Sequence, residues 1–397
     1  MPILIPAIPL YAAELETVYN KRIYYISGFD PRGARFYHRL FREESKKSEQ
    51  ISGASITTGK RQLIDAHITQ CQIDAAWHGS TYKIDYRFMT WDDVMKQYWI
   101  SNIWMLILKS IPMYFNHLKI RLFPKFKKAG RGPYICSIYP LVFSIACMIV
   151  AISLGFLAYH FALSLINSLL IALTASAVAI YFFARYVIRL GEKLNVWWIL
   201  RTYFFISLWI EKPLPELERK LITFAEKIIE DQVSSPVEEV ILVGHCVGSM
   251  LAVQVMANML AMPHDCLKNK LSVMTMGQCI PYLSYAPKAT HFRKVLETFA
   301  NNKHFPWFDM GARADPLCFQ QVNPAEAEGV SLLNKNVPYR FVVKPYNMFD
   351  TEKYQTLKRN KMRIHFQYLM AADNKTDFDY FEIVTGPPAN IQRYKTV

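Results

Sequence analysis

The sequence predicts an α/β protein whose mostly parallel sheet is interrupted by a long helical hairpin. Three observations lead to this prediction. Short β-rich runs alternate with helical periodicities before and after the middle of the chain, which is typical of a mostly parallel sheet. A stretch without any charged residue runs from Pro133 to Ala184. A Gly-x-Cys-x-Gly motif joins one predicted strand directly to one predicted helix.

Composition narrows the classes of protein that fit. The chain has 397 residues, of which 52% are hydrophobic and 20% are charged. This excludes a disordered protein, because such a chain can bury a core. The net charge of +14 is typical of proteins that meet nucleic acid or an anionic membrane surface. The seven irregularly spaced cysteines include no CxxC pair. We therefore expect a reducing compartment, no disulfide framework, no metal and no cofactor.

The N-terminal part contains three β-rich runs. Residues 22–27 form a short run that ends at Gly28. Residues 68–77 and 82–91 form two further runs, separated by a His-Gly-Ser turn at 78–80. Each run has the length and the bounding turn residues of a strand.

The uncharged stretch predicts two membrane spans. About 20 apolar residues cross a bilayer, so the stretch accommodates two spans at about 135–157 and 163–184. The most polar residues between them, Tyr159, His160 and Asn167, predict the turn. The alternative is a long buried helical hairpin in a soluble protein.

Cations flank both ends of this stretch. Six precede it: Lys119, Arg121, Lys125, Lys127, Lys128 and Arg131. Three follow it, opposed by Glu192 alone: Arg185, Arg189 and Lys193. Under the positive-inside rule both ends stay cytoplasmic. We expect a bacterial inner-membrane protein with both termini and the catalytic domain in the cytoplasm. The expected partner of the basic residues is therefore the lipid bilayer and not nucleic acid.

Two aromatic stretches flank the spans. Residues 97–115 and 196–210 combine tryptophan and tyrosine with one lysine or one arginine each. This pattern favours helices at the bilayer boundary. Core helices of the soluble domain are the alternative for both stretches. A re-entrant segment is a further alternative for 97–115, in which Pro112 opposes a full span.

The C-terminal part continues the alternation of helices and strands. Pro213 and Pro215 open a helix that continues to residue 232. Strands are predicted at 238–244, 271–277, 306–310 and 339–343, and helices at 249–260 and 291–300. These strands and the N-terminal ones are needed to complete one sheet. We therefore predict one domain formed by residues 1–95 and 211–397, with residues 96–210 as a membrane insertion.

The Gly-x-Cys-x-Gly motif is Gly244-His245-Cys246-Val247-Gly248. A nucleophile on a sharp strand-to-helix turn needs small residues two positions before and after it, because the backbones cross closely there. The N–H groups at the start of the helix also lower the pKa of a thiol. The motif predicts that Cys246 is a nucleophile. The alternative is a structural turn that contains a buried cysteine.

With this motif the chain resembles the α/β-hydrolase superfamily over roughly 1–95 and 211–397. The resemblance implies the chain order nucleophile, acid, histidine. Asp315, just past the predicted strand 306–310, is the implied acid, and Asp309 within that strand is the second choice. His365 is the implied base, since no other histidine follows Asp315. The alternatives are that Asp315 belongs to an ordinary Asp-Pro turn and that His365 has only a structural role.

The resemblance also implies an oxyanion hole and an activity. Its two backbone N–H groups would come from Val247 and from Phe29, in the loop 27–33 after the first strand. A cysteine nucleophile forms a thioester intermediate. The expected function is cleavage of a small-molecule acyl ester or thioester, drawn from lipid, by a Cys-His-Asp triad. An acyltransferase and an inactive membrane scaffold remain alternatives.

Overall fold

The structure is a computed structural model that describes residues 18–335 and 337–387. The outermost parts of the predicted domain, 1–17 and 388–397, lie outside the described residues. The strands are β1 Tyr19–Ile26, β2 Ser55–Thr58, β3 Gln62–Leu63, β4 Ile68–Trp77, β5 Ser80–Met89, β6 Glu239–His245, β7 Leu271–Met276, β8 Trp307–Gly311 and β9 Tyr339–Val342. The helices before β6 are α1 Gly33–Ser52, α2 Asp92–Tyr98, α3 Ile103–Lys119, α4 Leu122–Ala129, α5 Arg131–Ile166, α6 Leu169–Lys193, α7 Val196–Glu211 and α8 Pro215–Ser234. The later helices are α9 Val247–Leu260, α10 Ile280–Ser284, α11 Thr290–Ala300, α12 Pro345–Met348, α13 Thr351–Arg359, α14 Lys361–His365 and α15 Tyr380–Thr385.

The strands form one nine-stranded sheet in the order β2-β4-β5-β1-β6-β7-β8-β9, with β3 also paired to β4. Six neighbouring strands of this order pair in parallel, namely β5, β1, β6, β7, β8 and β9. The pairs that involve β4 are antiparallel. The prediction of an α/β protein with a largely parallel sheet is therefore confirmed.

Apolar side chains cover both faces of the sheet. Tyr24 and Ile26 of β1 belong to one core, and Ile23 and Tyr25 belong to the other, as the alternation of side chains along a strand requires. All seven residues of β6 are buried. The carboxyl end of this central strand is thereby enclosed by protein on both faces.

Strands β5 and β6 lie on opposite sides of β1, and α2 to α8 form the connection between them. Within it, α5 and α6 pack against each other. The chain reverses at Asn167, whose φ is +48°. The turn is therefore shorter than predicted, since α5 continues through Tyr159 and His160 to Ile166, and α6 starts at Leu169 and not at residue 163. The first turns of α5 are buried in the protein body through Pro133, Cys136 and Pro140.

Helices α5 and α6 are long enough and apolar enough to cross a membrane. Only 6% and 11% of their most apolar stretches are buried, so they are not core helices of the described chain. Large apolar side chains are exposed along both, for example Phe156, Phe161, Leu170 and Phe182. A soluble protein rarely exposes so large a continuous apolar surface.

The two aromatic stretches beside these helices differ from each other. Helix α3 exposes an apolar face that includes Trp104, Leu108 and Phe115, in agreement with a position at a bilayer boundary. Helix α7 does not, because most of its residues are buried in the core. The aromatic side chains at 196–210 therefore pack inside the protein, which corrects the interfacial interpretation of that stretch.

Candidate active site

Cys246 lies between β6 and α9 in a conformation that non-glycine residues rarely adopt. Its φ is +59° and its ψ is −123°. Such a backbone costs on the order of 1–3 kcal/mol and persists only where its surroundings hold it. Here the Cys246 N–H donates to the Met276 carbonyl of β7 at 3.0 Å. The Ser249 hydroxyl donates to the Gly244 carbonyl at 3.0 Å. The turn thus presents the thiol at the carboxyl edge of the sheet.

The two glycines of the motif are required by close backbone contacts. A Cβ atom added to Gly244 would lie 2.5 Å from the Gly248 carbonyl oxygen. A Cβ atom added to Gly248 would collide with the carbonyl oxygen of Ile26, in β1. Any side chain at either position would push the turn away from the sheet.

Asp315 and His365 form a hydrogen-bonded pair although 50 residues separate them. Nδ1 of His365 donates to Oδ2 of Asp315 at 2.8 Å. The other carboxylate oxygen, Oδ1, accepts the N–H of Leu317 at 3.0 Å. Both side chains are buried. Because Nδ1 carries the donated proton, Nε2 is the ring nitrogen left for chemistry.

Asp309, the second choice for the acid, serves a different purpose. Its carboxylate lies within β8 and accepts the Thr275 hydroxyl at 2.7 Å. Burial raises the pKa of Asp309 to about 6, against the effect of that hydrogen bond. The structure thus brings Asp315 to His365 and leaves Asp309 in the strand.

The pKa values of the thiol and the imidazole are shifted in opposite directions. A hydrogen bond from the Cys279 thiol is the largest cause that lowers the pKa of Cys246 to about 5, and His365 adds to it. Burial disfavours the charged imidazole, but the charges of Asp315 and Cys246 outweigh it and raise the pKa of His365 to about 10. Both shifts favour a Cys246 thiolate paired with a His365 imidazolium.

Three side chains that the sequence analysis missed complete this centre. Tyr368 accepts the Ala312 N–H at 3.0 Å, so its own proton points to Oδ2 of Asp315 at 3.1 Å. The His245 ring stacks on His365 with centroids 4.8 Å apart. Burial lowers the pKa of His245 well below its usual value, so this ring is neutral. Cys279 is the third. No sequence motif identifies these three side chains as functional. Only their contacts with Asp315, His365 and Cys246 reveal them.

The loop after β1 lies directly beside the nucleophile. A Cβ atom added to Gly28 would lie 2.9 Å from Cβ of Cys246, so the Gly28–Phe29 peptide passes the thiol closely. Asp30 holds this loop, because it accepts the Arg32 guanidinium at 2.5 Å and the Tyr37 hydroxyl at 2.9 Å. Gly28, which precedes the predicted oxyanion donor Phe29, and Val247, which follows Cys246 in the chain, therefore both lie next to the nucleophile.

Helices α5 and α7 cover the site. The Trp198 indole of α7 donates to the Phe29 carbonyl at 3.0 Å, and its ring lies 6.4 Å from that of His365. Gly132, in the first turn of α5, lies against Pro316, next to Asp315. Cys246 is only 5% exposed. The thiol is thus enclosed beneath the start of α5 and beneath α7, the helix that follows α6.

No known protein family, curated protein or solved structure matches this chain. Among residues 18–335 and 337–387, no group of three His, Cys, Asp or Glu side chains could hold a metal ion. The chemistry of the site must therefore be inferred from the side chains described above.

We predict that alkylation of Cys246 by iodoacetamide is almost independent of pH between about 6 and 8. The lowered pKa means that the thiolate is present above about pH 5 and is lost only as the pH falls through that value. An ordinary cysteine would instead react about tenfold faster per pH unit over this range. Peptide mass spectrometry would measure the rate. Cys279→Ala should move the transition upward, whereas Cys279→Ser keeps a donor and should move it less; an unchanged transition in Cys279→Ala would contradict the prediction.

Proposed function

We propose that this protein is a membrane-anchored enzyme of the α/β-hydrolase type that cleaves acyl esters or thioesters through Cys246, His365 and Asp315. One observation carries the proposal. A strained cysteine on a strand-to-helix turn lies beside a buried histidine whose Nδ1 is bound by a buried carboxylate. That combination of nucleophile, base and orienting acid is the one that acyl-transfer chemistry uses.

The proposed reaction has two steps. In the first, the Cys246 thiolate attacks the acyl carbonyl carbon, and the N–H groups of Val247 and Phe29 stabilise the oxyanion. The imidazolium of His365 then gives its Nε2 proton to the leaving alcohol or thiol, and a thioester remains on Cys246. In the second, His365 takes a proton from water as the water attacks the thioester. The carboxylic acid leaves, and the thiolate and imidazolium are restored.

The membrane helices fit this function as both anchor and cover. We propose that α5 and α6 cross the bilayer as a hairpin inserted between β5 and β6 of one catalytic domain. The same helix that spans the bilayer starts beside Asp315, through the contact of Gly132 with Pro316. Movement of α5 and α7 would open the site toward lipid and not toward bulk water. The substrate would then be a lipid-derived acyl compound.

Acyl transfer to an alcohol, amine or thiol is the second candidate. The observation that favours it is the burial of Cys246, which is only 5% exposed. A closed site limits the access of water to a thioester and gives another acceptor time to bind. Both candidates share the first step and differ only in the acceptor.

Trapping of the thioester tests the proposal. The full-length protein in detergent is mixed briefly with p-nitrophenyl esters, quenched in acid and digested. We expect the Cys246 peptide to gain the mass of the acyl group, and hydroxylamine to remove it. Asp309→Asn, as a control, should still be acylated. Release of p-nitrophenol without any acyl adduct on Cys246 would contradict the proposal.

The charges around the spans predict the topology of the anchor. Since cations flank both ends of the uncharged stretch, residues 125 and 193 should be cytoplasmic and residue 160 should lie on the far side. Single cysteines at these positions can be labelled with an impermeant maleimide in spheroplasts or sealed vesicles. A cytoplasmic residue 160 would overturn this orientation.

A further inference from the structure

An apolar groove of about 150 Å³ lies between α3, α5 and α7. Its walls include Ile111, Phe115 and Leu118 of α3, Leu141 and Ser144 of α5, and Leu200 of α7. An apolar cavity of this volume is known to hold benzene. The groove therefore has room for about six carbon atoms of a hydrocarbon.

The few polar atoms of the groove are already satisfied by the protein. The hydroxyls of Ser110 and Ser144 each donate to the carbonyl four residues earlier in their own helix, both at 2.7 Å. The Tyr114 hydroxyl donates to a carbonyl of α5 at 3.4 Å. A ligand would thus find hardly any free hydrogen-bonding group here. Hydrocarbon is the chemistry that such walls select.

The outer wall of the groove is continuous with the apolar surface of the two long helices. Ile111, Phe115 and Leu118 are between 46% and 68% exposed. On α5, Val142 and Ile145 beside the groove are also exposed. The groove therefore opens onto the surface that faces lipid in the proposed anchor.

The inner wall approaches the candidate active site. Behind Leu200, Tyr203 on the same helix stacks on Tyr282 with ring centroids 4.5 Å apart. Tyr282 belongs to α10, which starts directly after Cys279. Cys279 in turn lies next to Cys246, since each thiol shifts the pKa of the other. This stacked pair forms a column of aromatic side chains that lies near both the groove and Cys279, since, after burial, Tyr114 and Cys279 each raise the pKa of Tyr203 and Tyr282.

We infer that this groove binds the hydrocarbon chain of the acyl substrate. The inference rests on the proposed function and names the substrate class: an ester or thioester of a fatty acid with a chain longer than about six carbons. The chain enters from the bilayer along α3 and α5, and its carbonyl end reaches Cys246 when Tyr203 and Tyr282 move apart. An acetyl or butyryl group is too short to span the groove and the column.

The test compares chain lengths in two matched variants. Ser144→Trp fills the groove, and Val142→Trp places the same side chain on the exposed side of α5, two residues away. With p-nitrophenyl acetate, octanoate and palmitate, Ser144→Trp should lower kcat/KM for palmitate at least tenfold relative to acetate. Val142→Trp should leave that ratio unchanged. Equal ratios in Ser144→Trp and the wild type, with unchanged iodoacetamide labelling of Cys246, would overturn the inference.

A second measurement separates failure of this inference from failure of the proposed function. Palmitic acid with a diazirine in its chain is photo-crosslinked to the Cys246→Ala variant, which has no nucleophile. Crosslinks to α7 or to the groove side of α3 support the groove even if no ester is cleaved by the wild type. Crosslinks confined to 145–166 and α6 report bilayer contact alone and refute the groove, whether or not Cys246 is catalytic.

Discussion

Replacing Cys246 with alanine should abolish turnover of every acyl substrate that the protein accepts. The variant keeps the turn but loses the atom that forms the covalent bond in the proposed reaction, and loss of a nucleophile in a comparable triad costs on the order of 10⁶ in kcat. Folding should be preserved, because an alanine Cβ occupies the same place as that of cysteine. The measurement is steady-state hydrolysis of p-nitrophenyl esters, with circular dichroism as the check on folding. Full activity in Cys246→Ala would leave the turn with a structural role and contradict the proposed nucleophile.

Cys246→Ser separates hydrolysis from transfer. The lowered pKa that makes Cys246 a thiolate belongs to the sulfur and has no counterpart in a serine hydroxyl. Serine must therefore depend on neutral His365 as a general base. A hydrolase with a well-placed His365–Asp315 pair should retain measurable esterase activity with serine. An enzyme adapted to transfer through a thioester should lose nearly all of its activity.

The second large effect is expected at the acid. Asp315→Asn should lower turnover by about 10⁴-fold, the cost of the equivalent change in a comparable triad. An asparagine amide cannot stabilise the imidazolium, and it offers Nδ1 a donor as readily as an acceptor, so the favoured tautomer changes. The side chain is nearly isosteric, and its one oxygen, in the place of Oδ1, can still accept the Leu317 N–H. The fold should therefore survive.

Asp309→Asn is the matched control for that experiment. Asp309 is as buried as Asp315, but its partner is the Thr275 hydroxyl and not a histidine. We expect a change in thermal stability or expression, with turnover per folded molecule close to wild type. Turnover that survives Asp315→Asn and is lost in Asp309→Asn would show that Asp309, and not Asp315, is the acid.

The sequence predicted the strands and the turn most successfully. Strand β4, at Ile68–Trp77, has its predicted bounds, and β6 to β9 differ from their predicted bounds by one or two residues. Local patterns suffice there, because buried strands need continuous apolar runs and glycines must stand where backbones cross. The prediction omitted α1, β2 and β3. The two strands are short, β3 is exposed, and α1 carries so many polar residues that its apolar face is narrow.

The sequence was less informative about which aromatic stretch meets lipid. Residues 97–115 and 196–210 have similar compositions, yet α3 exposes an apolar face and α7 is buried. Composition determines how apolar a helix is, but only its neighbours decide whether that surface contacts protein or lipid. The longer course of α5 has the same cause, because its first turns pack on the protein body before the helix emerges.

By itself, the sequence determined the alternation of strands and helices, the uncharged stretch and the turn around Cys246, since each depends on residues close together in the chain. Only the tertiary structure decided that Asp315 and not Asp309 meets His365, that Tyr368 and His245 support that pair, and that Cys279 reaches the thiol. These choices depend on the register of β7 and β8 and on the path of the chain after β9. Contacts between residues more than 30 positions apart leave no periodicity in a single sequence, so the fold must bring them together before they can be recognised.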